Sequence, residues 1–157
     1  LVLDAAALSC ALPELDSASS VADLGSGAGF PGLPLAILHP RLDVHLVDSR
    51  LKRHHFQREA RRKLNLSRVH SILGRSDQVE PVCCDIVVAQ AMSRPERALE
   101  LMIPWAKPDG LIVLPASQSA AEPKCPARLG EIERRQYSVP ETHTKRVLWL
   151  AHLRATA

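Results

Sequence analysis

The sequence predicts an α/β fold, a mostly parallel seven-stranded sheet with helices on both faces and an antiparallel C-terminal edge, and three observations carry that prediction. Short apolar runs alternate with helical patterns along the first two thirds of the 157 residues, which is how parallel βαβ units read. The run Val21-Ala22-Asp23-Leu24 passes straight into Gly25-Ser26-Gly27-Ala28-Gly29-Phe30 and then a helix, the arrangement by which a first strand hands a ligand to a helix N-terminus. A second apolar run, Val44-His45-Leu46-Val47-Asp48, ends in an acid placed to accept hydrogen bonds from ribose hydroxyls. Together these describe a Rossmann-like, nucleoside-binding domain.

Each element follows in order. Residues 1 to 11 are apolar and rich in small side chains, and are expected to form a helix over one edge of the sheet that ends by Pro13. The first strand covers 20 to 24, the helix after the glycine loop 32 to 38, stopping before Pro40, and the second strand 43 to 47. From Arg50 to Leu64 the pattern is helical, with Phe56, Ala60 and Leu64 on one side and Arg50, Arg58, Arg61 and Arg62 on another. The third strand is 69 to 73. The turn after it, Gly74-Arg75-Ser76-Asp77, either places Asp77 to accept from an adenine amino group or is a plain surface turn, and spacing alone does not separate the two. The fourth strand, 85 to 89, leads into Gln90-Ala91-Met92-Ser93-Arg94 at the ligand-facing edge and a helix over 95 to 104. The turn Lys107-Pro108-Asp109-Gly110 opens a fifth strand, 111 to 114, which Pro115 is expected to end. Residues 116 to 128 read as loop or frayed helix, and 130 to 139 and 145 to 153 as two antiparallel edge strands.

The length suits one domain over residues 1 to 157. No stretch approaches the apolar length of a membrane span, and the start lacks a basic segment followed by an apolar one. The expectation is a soluble, cytoplasmic monomer, and a first residue Leu1 instead of Met suggests a missing N-terminal segment. The four cysteines, at 10, 83, 84 and 125, lack C-x-x-C spacing, which reads as a reduced chain, and the seven scattered histidines predict no metal site. The formal charge of +3 is uneven: residues 50 to 68 hold eight Lys and Arg against Glu59 alone. Such a local basic surface either meets a polyanion such as RNA or is a solvated helix face.

The glycine loop formally satisfies the dinucleotide pattern G-x-G-x-x-G at Gly27 to Gly32. Against that ligand, Pro31 and Pro34 stand where the helix should offer N–H groups to a pyrophosphate, and proline has none. Asp23 before the loop repels phosphate but can face a cationic or amine-bearing ligand. S-adenosylmethionine, with a sulfonium, an ammonium, a ribose and no phosphate, fits these residues better than NAD.

The run Asp23-Leu24-Gly25-Ser26-Gly27-Ala28-Gly29-Phe30-Pro31-Gly32-Leu33-Pro34-Leu35-Ala36 resembles the first motif of the RsmG (GidB) methyltransferases, Leu46-Val47-Asp48-Ser49 with Lys52-Arg53 the next, and Gly74-Arg75-Ser76-Asp77 the third. The likeness covers nearly the whole chain and implies a class I methyltransferase fold. It also implies methyl transfer from S-adenosylmethionine to the N7 of a guanosine in bacterial small-subunit ribosomal RNA. It places Gly25, Phe30, Ser76 and Asp77 along the cofactor and Asp48 at its ribose. Asp23, Ser26, Gly27 and Gly29 of the loop, Ser49 and Gln90 complete the candidate cofactor site. Three positions differ from the family pattern. Ala89-Gln90-Ala91 replaces Ser-Arg-Ala, Pro115-Ala116 replaces Lys-Gly, and Leu1-Val2-Leu3-Asp4-Ala5 keeps only the acid of His-x-x-Asp-Ser.

Guanine N7 carries a free lone pair, so its methylation needs alignment and not deprotonation; no catalytic residue is assigned. Gln90-Ala91-Met92-Ser93 lacks the Asn-Pro-Pro-Tyr type of motif that methylation of an exocyclic amine uses. The cysteines lie away from the ligand-facing edge, which argues against a covalent route. With only 3% aromatic residues, RNA would be held mainly by phosphate contacts from Arg50, Lys52, Arg53, Arg58, Arg61, Arg62, Arg75 and Arg94. Loss of substrate-side cations keeps two alternatives open, a methyltransferase of small molecules and a cofactor-binding domain without catalysis.

Overall fold

The strand that precedes the glycine loop, β1 (Ser20–Leu24), has Val21, Ala22, Asp23 and Leu24 all fully buried, which requires strands on both edges and cover on both faces. In this computed structural model, which describes residues 1–90 and 92–155, its neighbours are β2 (Asp43–Asp48) and β4 (Cys84–Ala89), both parallel to it. The sheet continues through β3 (Val69–Leu73) on one side and β5 (Ala106–Ser117) on the other. Last come the antiparallel strands β6 (Glu133–Ser138) and β7 (Lys145–His152). The order is β3-β2-β1-β4-β5-β7-β6. The expected antiparallel edge is there, and β7 inserts between β5 and β6.

Strand alternation sends neighbouring side chains into two separate cores. On one face Leu8 and Leu12 and the helix α2 (Gly32–Leu38), through Leu33 and Leu35, cover Val44, Leu46, Ile86, Val88 and Val113. Leu8 belongs to α1 (Val2–Ala11), and α3 (Leu51–Lys63) joins this face through Ala60. On the other face α4 (Pro95–Met102) and the 3-10 turn Ile103–Trp105 cover Ala22, Leu24, Val87 and Ile112. α2 and α4 thus leave β1 and β4 on opposite faces, and a crevice opens at the C-terminal ends of those two strands. α1 also reaches the sheet edge, where Tyr137 of β6 donates its hydroxyl to Asp4 at 2.9 Å.

Two elements differ from the sequence expectation. The buried line of α3 does not run through Phe56 and Leu64, which are 55% and 52% exposed, but through Gln57, which is fully buried. A polar side chain is stable there because the adjoining loop and β3 supply its hydrogen-bond partners. β5 does not stop at Pro115: it begins at Ala106 and runs to Ser117, with a register shift against β4 between Cys84 and Ile86. Pro115 is tolerated because pairing with β4 ends at Val113, so no parallel neighbour needs its missing N–H, while β7 still pairs with it through Leu148. Among the described residues no helix is long and apolar enough to cross a membrane.

Candidate functional site

Four backbone donors of the glycine loop are engaged, two outside it and two within it. Ser26 N–H donates to Val47 O at 3.1 Å, Gly27 N–H to Asp48 Oδ2 at 2.9 Å, and Gly29 and Phe30 N–H to Ser26 O at 2.8 and 3.0 Å. At the start of α2, Gly32 N–H donates to Asp23 Oδ2 at 2.8 Å, Leu33 N–H to Gly29 O at 2.6 Å, and Leu35 N–H to Pro31 O at 3.1 Å. Gly27 has φ +59, and a Cβ there would lie 3.3 Å from Arg53 Nη1, so glycine serves both the left-handed turn and the close approach. From below, Gln57 Nε2 donates to Ser26 Oγ at 2.9 Å and to Gly27 O at 2.7 Å, while its Oε1 accepts from Ser71 Oγ at 2.6 Å. One buried amide therefore locks α3, β3 and the loop together.

Asp23 does not face a ligand. It is fully buried beneath the loop, with Oδ2 holding Gly32 N–H and Oδ1 without a partner among the described residues. Burial pushes its carboxyl up to about 7, the Gly32 donor opposes this, and the charge of Asp48 adds to it. Its role is to anchor the start of α2, and its charge does not reach the cleft above the loop, contrary to the expectation from the sequence.

Above the loop, Gly25, Asp48, Ser49, Ser76 and Asp77 come together in one cleft of about 390 Å³, with Met92 and the arginines 50, 53, 75 and 97 around it. Asp48 is buried, and besides Gly27 it accepts from Arg50 N–H at 2.9 Å and from Arg53 Nη1 at 3.5 Å. Oδ2 is filled by Gly27 and Arg53, whereas Oδ1 accepts only from Arg50 N–H and keeps a lone pair for a further donor. The 74–77 turn is pinned where Trp105, fully buried, donates Nε1–H to Ser76 O at 3.1 Å and Gly74 N–H donates to Asp48 O at 3.0 Å. Arg75 holds Asp77 with two bonds of 3.0 and 2.9 Å, and this guanidinium keeps the Asp77 carboxyl below its ordinary value.

Not every expected residue lies here. Phe30 and Gln90 instead line a small cavity with Leu1, Asp4 and Pro31, and Gln90 also borders a separate cleft of about 280 Å³ with Ser93, Pro115, Ser117 and Arg146. Ala91 lies outside the described residues. The basic cluster is split: Arg50, Arg53 and Arg75 border the first cleft, whereas Arg58, Arg61 and Arg62 line a groove with His55 and Asn65 on the outer side of α3. Lys52 and Arg94 are exposed and border none of these clefts.

Three residues absent from the expected site hold it together. Gln57 and Trp105 carry the loops, and Arg146 places a cation beside Gln90, where the chain lacks the arginine of the family pattern. Arg146 Nη2 lies 3.3 Å from Asp4 Oδ2, and its Nε is buried without a partner among the described residues. The helical pattern of 50 to 64 marks Phe56, Ala60 and Leu64 as its apolar side, so it held no signal for a buried Gln57. None existed for Arg146, whose place depends on β7 pairing Arg146 with Ser117 at the ligand end of β5. Among the described residues no three His, Cys, Asp or Glu side chains gather as a metal site.

Comparison with known proteins agrees with this geometry. The fold resembles that of TrmN from Thermus thermophilus, with a TM-score of 0.67 at 19% identity over 96% of this chain and 52% of that one. It also resembles a mutant of MtNAS in complex with S-adenosylmethionine, with a TM-score of 0.73 at 13% identity over 98% and 62% of the two chains. By sequence, the chain is 38% identical over 112 residues to ribosomal RNA small subunit methyltransferase G of Streptococcus agalactiae serotype Ia, covering 68% of this chain and 47% of the relative. It is 38% identical over 125 residues to the protein of that name in Sorangium cellulosum, covering 77% and 52%. The chain spans about half the length of these curated relatives. The family model GidB, described as rRNA small subunit methyltransferase G, matches residues 1–150, and the chain therefore belongs to the GidB family.

Proposed function

We propose that this chain, as a single cofactor-binding domain acting as a cytoplasmic monomer, binds S-adenosylmethionine in the cleft above the glycine loop and methylates N7 of a guanosine in bacterial small-subunit ribosomal RNA. The observation that carries the reading is the use of the donors at the start of α2: Gly32, Leu33 and Leu35 N–H are already bonded and Pro34 has none. Nothing there is left for a pyrophosphate, whereas the remaining lone pair on Asp48 Oδ1 and the Ser76-Asp77 turn suit a ribose and an adenine. The family membership supports an RNA substrate.

S-adenosylmethionine, when bound, would supply an electrophilic methyl on a sulfonium, to which the N7 lone pair would form the new C–N bond as the C–S electrons return to sulfur. The chain's part is placement. Asp48 Oδ1 would receive a ribose hydroxyl, Ser76 and Asp77 would border the base, and Arg146, held by Asp4, could donate to guanine O6 and orient the ring in the adjoining cleft. No proton needs to be removed before transfer, so no base is required.

Titration calorimetry with S-adenosylmethionine and with NAD, followed by transfer of labelled methyl to small-subunit RNA and mapping of the product, tests this reading. Binding of S-adenosylmethionine alone and label at a guanosine N7 are expected; tighter binding of NAD would overturn the cofactor assignment. The absence of Arg and Lys at Gln90 and Pro115 favours a second reading, methylation of a small molecule, for which turnover is insensitive to salt and to added RNA.

A further inference from the structure

Phe56 stands in the middle of α3 with its side chain 55% exposed, a position that forfeits the free energy a ring gains by burial. The other large aromatic side chains are less exposed: Trp105 and Trp149 are buried, Phe30 is half-buried at the small cavity beside Pro31, and Tyr137 is half-buried with its hydroxyl on Asp4. Cations accompany the exposed ring. Lys52 and Arg53 stand four and three residues before it, one turn back on the same side of the helix. Arg53 reaches Asp48 at 3.5 Å and borders the candidate cofactor cleft, so the ring lies one helical turn, about 5 Å along the axis, from the cleft wall. An exposed ring approached through two cations offers a single-stranded nucleic acid both things it binds by, a face for a base and charge for the phosphates on either side. A duplex, whose bases are stacked on one another, can use only the charge.

Resting on the RNA reading above, we propose that Phe56 is a stacking platform for an unpaired base of the RNA, next to the nucleotide presented at the cleft, with Lys52 and Arg53 holding the flanking phosphates. The site recognises an unpaired segment and is indifferent to base identity, since every base has a π face.

The test compares Phe56→Ala, Phe56→Leu and Phe56→Trp with the unaltered chain. Each is titrated with a single-stranded twelve-nucleotide RNA and with a duplex of the same length. Phe56→Ala should weaken single-strand binding about fivefold or more, the scale of removing one stack, and leave duplex and S-adenosylmethionine affinities unchanged. Phe56→Leu should not restore it, and the new indole of Phe56→Trp, read against two buried tryptophans, should be quenched by the single strand. Equal weakening on both RNAs, full single-strand affinity of the Leu variant, or an unquenched indole would overturn the stacking role while leaving the RNA reading standing. Failure of the unaltered chain to bind either RNA would remove the RNA reading itself, and the platform with it.

Discussion

Asp23 sets the strongest pH dependence at the level of single residues. Its carboxyl rises to about 7 in the fold, chiefly by burial, from an ordinary value of 3.8. A raised acid favours the folded state below the unfolded value, and that contribution is lost as pH rises through the folded one. The window is therefore about pH 4 to 7. Glu14 and Asp77, held below their ordinary values by Arg135 and Arg75, act in the opposite sense and only at lower pH, as they protonate. His45 and His54, lowered by burial, also oppose Asp23 because their protonation costs stability as pH falls. Comparing Asp23→Asn with the unaltered chain cancels these other groups. Between about pH 4.5 and 8 the unaltered chain should lose stability relative to the variant, on the order of 2–4 kcal/mol for a carboxyl raised from 3.8 to about 7. Urea midpoints at several pH values measure it, and parallel curves for the two proteins would show that Asp23 is not buried as described.

α3 is two elements in one. Its inner line, through Gln57 and Ala60, supports the glycine loop and the core, and its outer side carries the groove of Arg58, Arg61 and Arg62. Reversing those three to Glu should weaken RNA binding and lower the slope of log affinity on log salt by about one unit for each phosphate no longer held. Arg62 is already engaged by Glu59 at 2.7 and 3.1 Å, so the change should be nearer two units than three. S-adenosylmethionine affinity should not move, because the groove and the cofactor cleft share no residue. A salt slope unchanged by the triple reversal would make this side of α3 a solvated face and favour the small-molecule reading.

At the scale of the whole molecule, the sheet's centre can be followed through its thiols. Cys10 and Cys83 are exposed, whereas Cys84 is fully buried where β4 meets β5, and burial pushes its thiol up to about 11. Cys84 lies at the start of β4, at the pole of the sheet opposite the cleft, so a ligand can protect it only by stabilising the fold. In a thiol-reagent time course at pH 8, Cys10 and Cys83 should react at once and Cys84 only as the molecule unfolds. S-adenosylmethionine at about a hundred times its dissociation constant should slow that last reaction roughly a hundredfold. Reaction of Cys84 as fast as Cys83 would contradict the packing between β4 and β5.

What local chemistry could decide, the sequence determined: the strands with their alternation, the glycine loop, the acid that ends β2, and the antiparallel C-terminal edge. Period and turn type depend on residues a few positions apart, so they can be read without the fold. The tertiary structure alone decided which way the polar groups point and which distant residues meet. Asp23 turns inward because α2 needs an acceptor beneath Gly32, and Gln57 is buried in place of Phe56 and Leu64 because a loop thirty residues away supplies its partners. Pro115 fails to end β5 because its neighbour β4 has already stopped. Arg146 reaches the mouth near Gln90 only because β7 inserts beside β5. Each of these rests on segments far apart in sequence coming together, and a hydrogen bond or a strand pairing at that range leaves no period along the chain.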